Sequence, residues 1–362
     1  MSVNLRHPFA AVKPVLARGA LRALHASSVH RFMPASIHGV GVIFMLHRVR
    51  EPDGADFAPN RILEVAPDFL EATLHHVRER GLVTLSLDEA VERLAARDFS
   101  ERFAVFTLDD GYKDNLTVAA PIFERYRVPF TVYLATSLPD GTAELWWVAL
   151  ERVIAMATDV RVRFPEGEEV FRTVSTADKK AAWTAIYWRL RGLGEDALRA
   201  EVRRLAAEHG LDMGAITREL AMSWRDVDNL AKRPYASVEA HTANHFALAQ
   251  ISEERARADI AQGIARHEAM LGRRPVHFSY PYGDASSAGE RDFGLAREFG
   301  FRSATTTRKG LIHPGHADQP MNLPRLSLNG DYQDIRLLDV LMSGLPFAMA
   351  KQMGSAGIDR LP

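Results

Sequence analysis

Phe103-Ala-Val-Phe-Thr-Leu-Asp-Asp-Gly-Tyr-Lys-Asp114 is the stretch that decides how the rest of the chain is read. Its apolar run, Phe103 to Leu108, has the length and the bounding turn signal of a buried strand. The run ends in two adjacent carboxylates, Asp109 and Asp110, and then Gly111. Acids at the carboxyl end of a strand stand where α/β folds place their chemistry. Neighbouring acids repel, so water, a cation or a shared proton must hold them. One acid on a metal and the other acting as a base is the reading this pattern invites.

Outward from that stretch, strand and helix signals alternate. Gly41 to Leu46 reads as a buried strand ending at His47, and residues 67–80 as a helix with proline in its first turn. A short strand follows at 82–85. Ser86 and Glu89 have capping-box spacing and open a helix to about residue 97. A helix at 114–126 and a strand at 129–135 complete a first βα series, which argues for a parallel sheet or barrel. Residues 144–232 break the rhythm: they read as mainly helical, with a short hairpin near 160–171. Alternation resumes with strands at 236–240, 276–280, 301–305 and 322–328, and helices at 252–271 and 288–299, the latter closed by Gly300. The expected organisation is a basic arm (1–40), the first part of a barrel (41–143), a helical insertion (144–232), the second part (233–330), and a C-terminal helix and tail (331–362).

Composition narrows the chemistry. The 362 residues carry a net charge of −1 and are 47% hydrophobic, as in ordinary globular proteins. There is no cysteine, so thiolate metal sites, disulfides and a cysteine nucleophile are excluded, while 14 histidines are available. Near-neutral charge argues against bulk binding of nucleic acid. Charge is uneven, however: Arg6, Lys13, Arg18, Arg22, Arg31, Arg48 and Arg50 all precede the first acid, Glu51. Residues 12–25 could form a basic amphipathic helix, either packed on the domain or touching an anionic membrane peripherally. No secretory leader pattern and no run of roughly 20 apolar residues is present, so the cytoplasm is the expected location, with or without membrane contact.

Two further signals complete the first. His241-Thr-Ala-Asn-His245 directly follows a strand, and two histidines four apart share one face of a helical turn and can grip one cation. Tyr280-Pro-Tyr-Gly283 ends another strand and has the composition of a type II turn. All three fall at strand carboxyl ends, the mouth of an α/β barrel. Two histidines and one carboxylate leave a metal with an open position, as in catalytic rather than structural zinc sites. The spare carboxylate can then take a proton from attacking water. That logic yields metal-assisted hydrolysis of an ester or amide.

The order of these motifs resembles the polysaccharide deacetylases of carbohydrate esterase family 4. Thr107-Leu-Asp-Asp-Gly111, His241-Thr-Ala-Asn-His245 and Tyr280-Pro-Tyr-Gly283 are similar to that family's first, second and third motifs. The resemblance implies a distorted (β/α)7-type barrel, an α/β fold, that removes N-acetyl or O-acetyl groups from an acetylated glycan. It implies Asp109 as general base, and Asp110, His241 and His245 as ligands of a divalent metal, most often zinc. It also implies a backbone N–H of Tyr282 in the oxyanion hole, a donor aimed at developing negative charge. It covers about residues 41–140 and 236–330. The acid pair and the histidine pair are about 130 residues apart, wider than is usual in the family, and the insertion accounts for the excess.

Some positions depart from the pattern. The third motif of many members carries an arginine that orients the base, where this chain has Ser279 or a neighbour, and Arg325 in Leu-Pro-Arg is the expected substitute. For the general acid, Met45-Leu-His47-Arg is similar to a motif of the poly-N-acetylglucosamine deacetylases, which share the YPYG form, and His47 is favoured over His313 or His316. Trp146 and Trp147 could stack on sugar or anchor the insertion. Asp114 and Asn115 read as a helix start, and Glu239 as a neighbour of His241 on the same side of its strand. The alternatives are a metal-dependent amidohydrolase of a non-sugar amide and a carbohydrate-binding relative without turnover.

Overall fold

The computed structural model describes residues 12–352, with side chains from residue 17 onward. Seven parallel strands close into a barrel. They are β1 (Gly41–Leu46), β2 (Phe103–Leu108), β3 (Phe130–Leu134), β4 (Ala236–Ala240), β5 (His277–Ser279), β6 (Ser303–Lys309) and β7 (Leu323–Ser327). Each pairs with the next in sequence, and β1 closes the ring by pairing with both β7 and β2. The β1–β2 register runs unbroken from Gly41 beside Phe103 to Leu46 beside Leu108. Both strands are buried at every position, which is why they read as continuous apolar runs rather than alternating ones. A short strand, Val83–Thr84, extends the sheet beside β2 without joining the ring.

Helices cover the barrel between the strands. Pro67–Glu79 and Leu87–Ala96 lie between β1 and β2, the second opened by the expected reciprocal bonds of Ser86 and Glu89. Glu253–Leu271 and Glu290–Glu298 lie between β4, β5 and β6. The segment after β2 starts with a π-helical turn, Asn115–Ala119, before Ala120–Tyr126.

The arm is packed on this body. Its helix, Val12–Ser27, lies on Ile335–Met342, with Leu21 buried between. Arg18 and Arg22 approach Asp331 and Asp334 at 3.7 and 3.9 Å. Behind them His30 and His76 meet the two oxygens of buried Asp339 at 3.0 and 3.1 Å, and Arg80 joins the cluster. Arg6 lies outside the described residues.

Between β3 and β4 the insertion folds around its own apolar core, which includes Leu150, Val153, Ile186, Leu190, Val202 and Leu205. Its elements are Trp146–Met156, the hairpin Asp159–Phe164 with Gly167–Arg172, and helices Thr176–Arg191, Glu195–Glu208, Met213–Leu220 and Trp224–Ala231.

Candidate active site

The expected site residues converge at one end of the barrel. The N–H of Asp109 donates to the carbonyl of Leu46 at 2.9 Å and that of His241 to the carbonyl of Leu134 at 3.1 Å, so the motifs sit at the carboxyl ends of neighbouring strands. Asp110, His241 and His245 present three ligand atoms within 4.8 Å of one another, all buried. Asp110 Oδ1 lies 3.5 Å from His241 Nε2 and 3.1 Å from His245 Nε2. His241 Nδ1 is tied to the carbonyl of Ser279 at 2.7 Å, which keeps the proton on that nitrogen and turns the Nε2 lone pair inward. Asp110 Oδ1 is buried without a hydrogen-bond partner. An orphaned carboxylate oxygen facing two imidazole nitrogens is the donor set of a three-ligand zinc-type site. Burial pushes the Asp110 carboxyl up, but the facing imidazoles outweigh it and hold it well below the usual range.

Asp109 is held differently. Arg325, from β7, donates from Nη1 to Oδ1 at 2.7 Å and from Nη2 to Oδ2 at 2.6 Å. Its remaining donors go to Thr107 Oγ1, Ser279 Oγ and the carbonyl of Thr306. Every N–H of a fully buried guanidinium is thereby used, the condition under which a buried ion pair is tolerated. Burial favours the protonated carboxyl, yet the charge and hydrogen bonds of Arg325 prevail and keep Asp109 below its ordinary value. A carboxylate offers about four acceptor positions, so one on each oxygen stays open.

His47 directly follows β1, at the rim where the N–H of Asp109 meets the carbonyl of Leu46. Its loop is fixed from the β2 side: Asn115 Nδ2 donates to the carbonyl of His47 at 2.8 Å, and Asp114 accepts from Val49 N–H and Arg48 Nε. The helix-start residues therefore also brace the candidate acid, a role their sequence position did not disclose. His313 and His316 do not approach the site. Ile312 bridges to Gly41, the first residue of β1, so both histidines belong to the opposite end of the barrel, beside a separate cavity of about 580 Å³. Glu239 likewise serves that end, accepting from the N–H groups of Val276 and His277.

Two local conformations correct the sequence reading. Residues 241–245 form a loop, not a helical turn: Thr242 and His245 have φ of 62° and 56°, and His245 N–H donates to Thr242 Oγ1 at 3.0 Å. The fold back that brings the histidines together comes from left-handed residues, which a spacing rule cannot anticipate. Tyr280–Gly283 is not closed as a type II turn. Gly283 N–H donates to the carbonyl of Pro281 at 2.7 Å, a three-residue turn about Tyr282, whose φ is 61°. The first motif repeats this device, with Gly111 N–H donating to the carbonyl of Asp109 at 3.0 Å about Asp110, φ 74°. Four of the seven non-glycine residues with positive φ among the described residues are thus in the site. The N–H of Tyr282 has no acceptor among the described residues.

The insertion touches every motif. Trp147 Nε1 donates to the Tyr112 hydroxyl at 3.1 Å, and Met222 N–H to the carbonyl of Gly111 at 3.0 Å. Arg199 donates to the carbonyls of Asn244 and His245, and its partner Glu195 accepts from Ala247 N–H. Trp146 and Arg191 meet Tyr282. The tryptophans are therefore buried anchors. Arg191, Glu195 and Arg199 escaped sequence reading because no motif surrounds them.

Comparison with known proteins now bears on this geometry. Residues 200–303 match the family model described as polysaccharide deacetylase. The polysaccharide deacetylase match includes His241, His245 and Tyr282, while the acid pair lies before it and joins them through the fold. Solved structures with the same fold include a Streptococcus pyogenes deacetylase, PplD, in complex with acetate, at 16% identity and a TM-score of 0.53 over 83% of this chain and 97% of that one. A de-N-acetylase from Aggregatibacter actinomycetemcomitans gives 12% identity and 0.53 over 83% and 99%. IcaB from Ammonifex degensii gives 16% and 0.52 over 84% and 97%. No curated protein matches the chain in sequence. The seven-stranded barrel is borne out, and the expected family is the one whose model matches residues 200–303.

Proposed function

We propose that this protein is a metal-dependent deacetylase that hydrolyses acetyl groups, foremost N-acetyl, on a poly- or oligosaccharide. The observation that carries the proposal is the division of labour between the two acids: Asp110 faces His241 and His245, while Asp109 is held by Arg325. A divalent cation on those three ligands, zinc by donor type, would supply Lewis acidity and a water of lowered pKa. Asp109, ionised at neutral pH, takes a proton from the attacking water. The N–H of Tyr282, free of other acceptors among the described residues, donates to the carbonyl oxygen as negative charge develops there. His47 delivers a proton to the leaving nitrogen as the C–N bond breaks, giving acetate and a free amino sugar.

Acetate release from N-acetylglucosamine oligomers, with and without chelator and alongside metal analysis, tests this reading. Chelator-sensitive release supports it. Zinc-loaded protein inert toward every acetylated glycan would sink it, leaving the non-sugar amidohydrolase or the non-catalytic binder.

The proposal extends to peripheral membrane contact. Phe32 is 81% exposed and Val29 48%, in one turn with Arg31, near Arg80 and Arg102. Apolar side chains among cations suit an anionic lipid surface. Co-sedimentation with phosphatidylserine vesicles, lost in Phe32→Glu, is the expected result; binding unchanged by that variant removes this part of the proposal.

A further inference from the structure

Tyr282 is gripped almost entirely by the insertion. Trp146 Nε1 donates to its hydroxyl at 2.8 Å, and the Arg191 guanidinium lies over its ring, 3.8 Å from the centroid. The ring also meets the edge of His245 at 4.7 Å. Both gripping residues are themselves fixed. Trp146 is fully buried and stacks on Tyr187 at 5.2 Å, while Arg191 donates to Ser287 Oγ at 2.9 Å. From the barrel side Tyr282 is met by His245 at its ring and by Thr307 at its backbone, where Thr307 Oγ1 donates to its carbonyl at 2.6 Å.

The conformation held in this way is one that a tyrosine disfavours. A bulky residue at positive φ persists only where its surroundings over-determine it. The direction of the Tyr282 N–H is coupled to the direction of Cα–Cβ at the same residue, so fixing the ring fixes the donor. Burial pushes the hydroxyl pKa upward, which leaves the group neutral, an anchoring point rather than an acid or base at neutral pH.

We propose that Trp146 and Arg191 are positioning residues for the reaction: through the Tyr282 side chain they aim its backbone N–H at the carbonyl oxygen of the substrate. The insertion is then a working part of the oxyanion hole, although it contributes no atom to it. This inference rests on the oxyanion role given above to Tyr282.

A double-mutant cycle tests it. Tyr282→Phe and Trp146→Phe each remove one end of a single hydrogen bond; the first keeps the ring, whereas the second also gives up part of a fully buried indole and should lower the melting temperature. Each should lower kcat about fivefold, the worth of one such bond, with KM and zinc content close to wild type. The double variant should be no slower than either single one. Arg191→Met should lower kcat similarly, and Arg191→Lys should restore part of the loss, since an ammonium keeps part of the attraction to the ring. Should Trp146→Phe fail to fold, Tyr282→Phe and the Arg191 pair carry the test alone. Wild-type kcat in these variants, or losses that multiply in the double variant, overturn the inference. Asp109→Asn run in parallel separates the two levels: its inactivity with fully active Trp146 and Arg191 variants sinks the inference alone, whereas inert wild-type protein sinks the function with it.

Discussion

The barrel and the insertion meet the same site with different kinds of group. The barrel brings the side chains proposed to carry the chemistry: His47 after β1, Asp109 and Asp110 after β2, His241 and His245 after β4, and Arg325 on β7. The insertion brings none of these. It contributes indole N–H groups that donate to tyrosine hydroxyls, and guanidinium groups and a carboxylate that end on backbone near the motifs and on the Tyr282 ring. The difference teaches that reacting groups follow from where parallel strands end, whereas their fine placement can be delegated to a segment with its own core. Variants on the barrel side should therefore abolish turnover, and variants on the insertion side should detune it.

The largest effect is expected at the base. Asp109→Asn should lower kcat by about 10²–10⁴-fold with metal content unchanged, and His47→Gln by about 10²-fold. Turnover preserved in His47→Gln would remove it as the acid. Next comes Arg325→Met, which leaves Asp109 as an uncompensated buried carboxylate and should cost about 3–5 kcal/mol in denaturant unfolding. In that variant burial loses its main opponent, so the Asp109 pKa rises. The base is then ionised only at higher pH, and the acidic limb of kcat/KM should move upward. An unmoved limb would break the link between this pair and the base.

On the insertion side, Arg199→Met strips the donor from the Asn244 and His245 carbonyls, and zinc affinity should weaken by roughly tenfold, as for other supports of a metal ligand. A competition titration against a chromophoric chelator reads this directly. An effect as large as that of His245→Ala would erase the contrast between the two regions. The smallest effect on activity belongs to Asp339→Asn, remote from both. Burial opposes ionisation of Asp339, but His76, His30 and Arg80 bring its pKa down to about 2. A carboxyl depressed from about 3.8 contributes stability above that value and loses it as pH falls toward 2. The variant should be less stable at neutral pH, and its stability should fall less steeply in acid, by thermal melts across that window.

Much of this was legible in the sequence, for identifiable reasons. Strands β1 and β2 were visible because burial on both faces demands unbroken apolar runs, and Ser86 with Glu89 marked a helix start through local bonds alone. Arg325 was expected from the resemblance, as the substitute for the arginine that the family's third motif carries to orient the base. The shape of the histidine loop could not be anticipated, since nothing in Thr242 or His245 signals positive φ. Nor could Arg191 or Arg199, whose partners are backbone carbonyls and a ring brought near by packing between two cores. Sequence shows groups that act through their type and conceals those that act through their address.

The left-handed turns at Asp110, Thr242, His245 and Tyr282 also bear on how this protein could be altered by selection. Such conformations cost on the order of 1–3 kcal/mol each, and asparagine or glycine adopts them more readily. A screen that rewards heat resistance alone, run without added metal, should enrich those two residues at these four positions, and sequencing the survivors would show it. Each gain would be a loss of the enzyme. The positions easiest to stabilise here are those a catalyst can least surrender, so thermal improvement has to be sought in the strands and helices that the turns join.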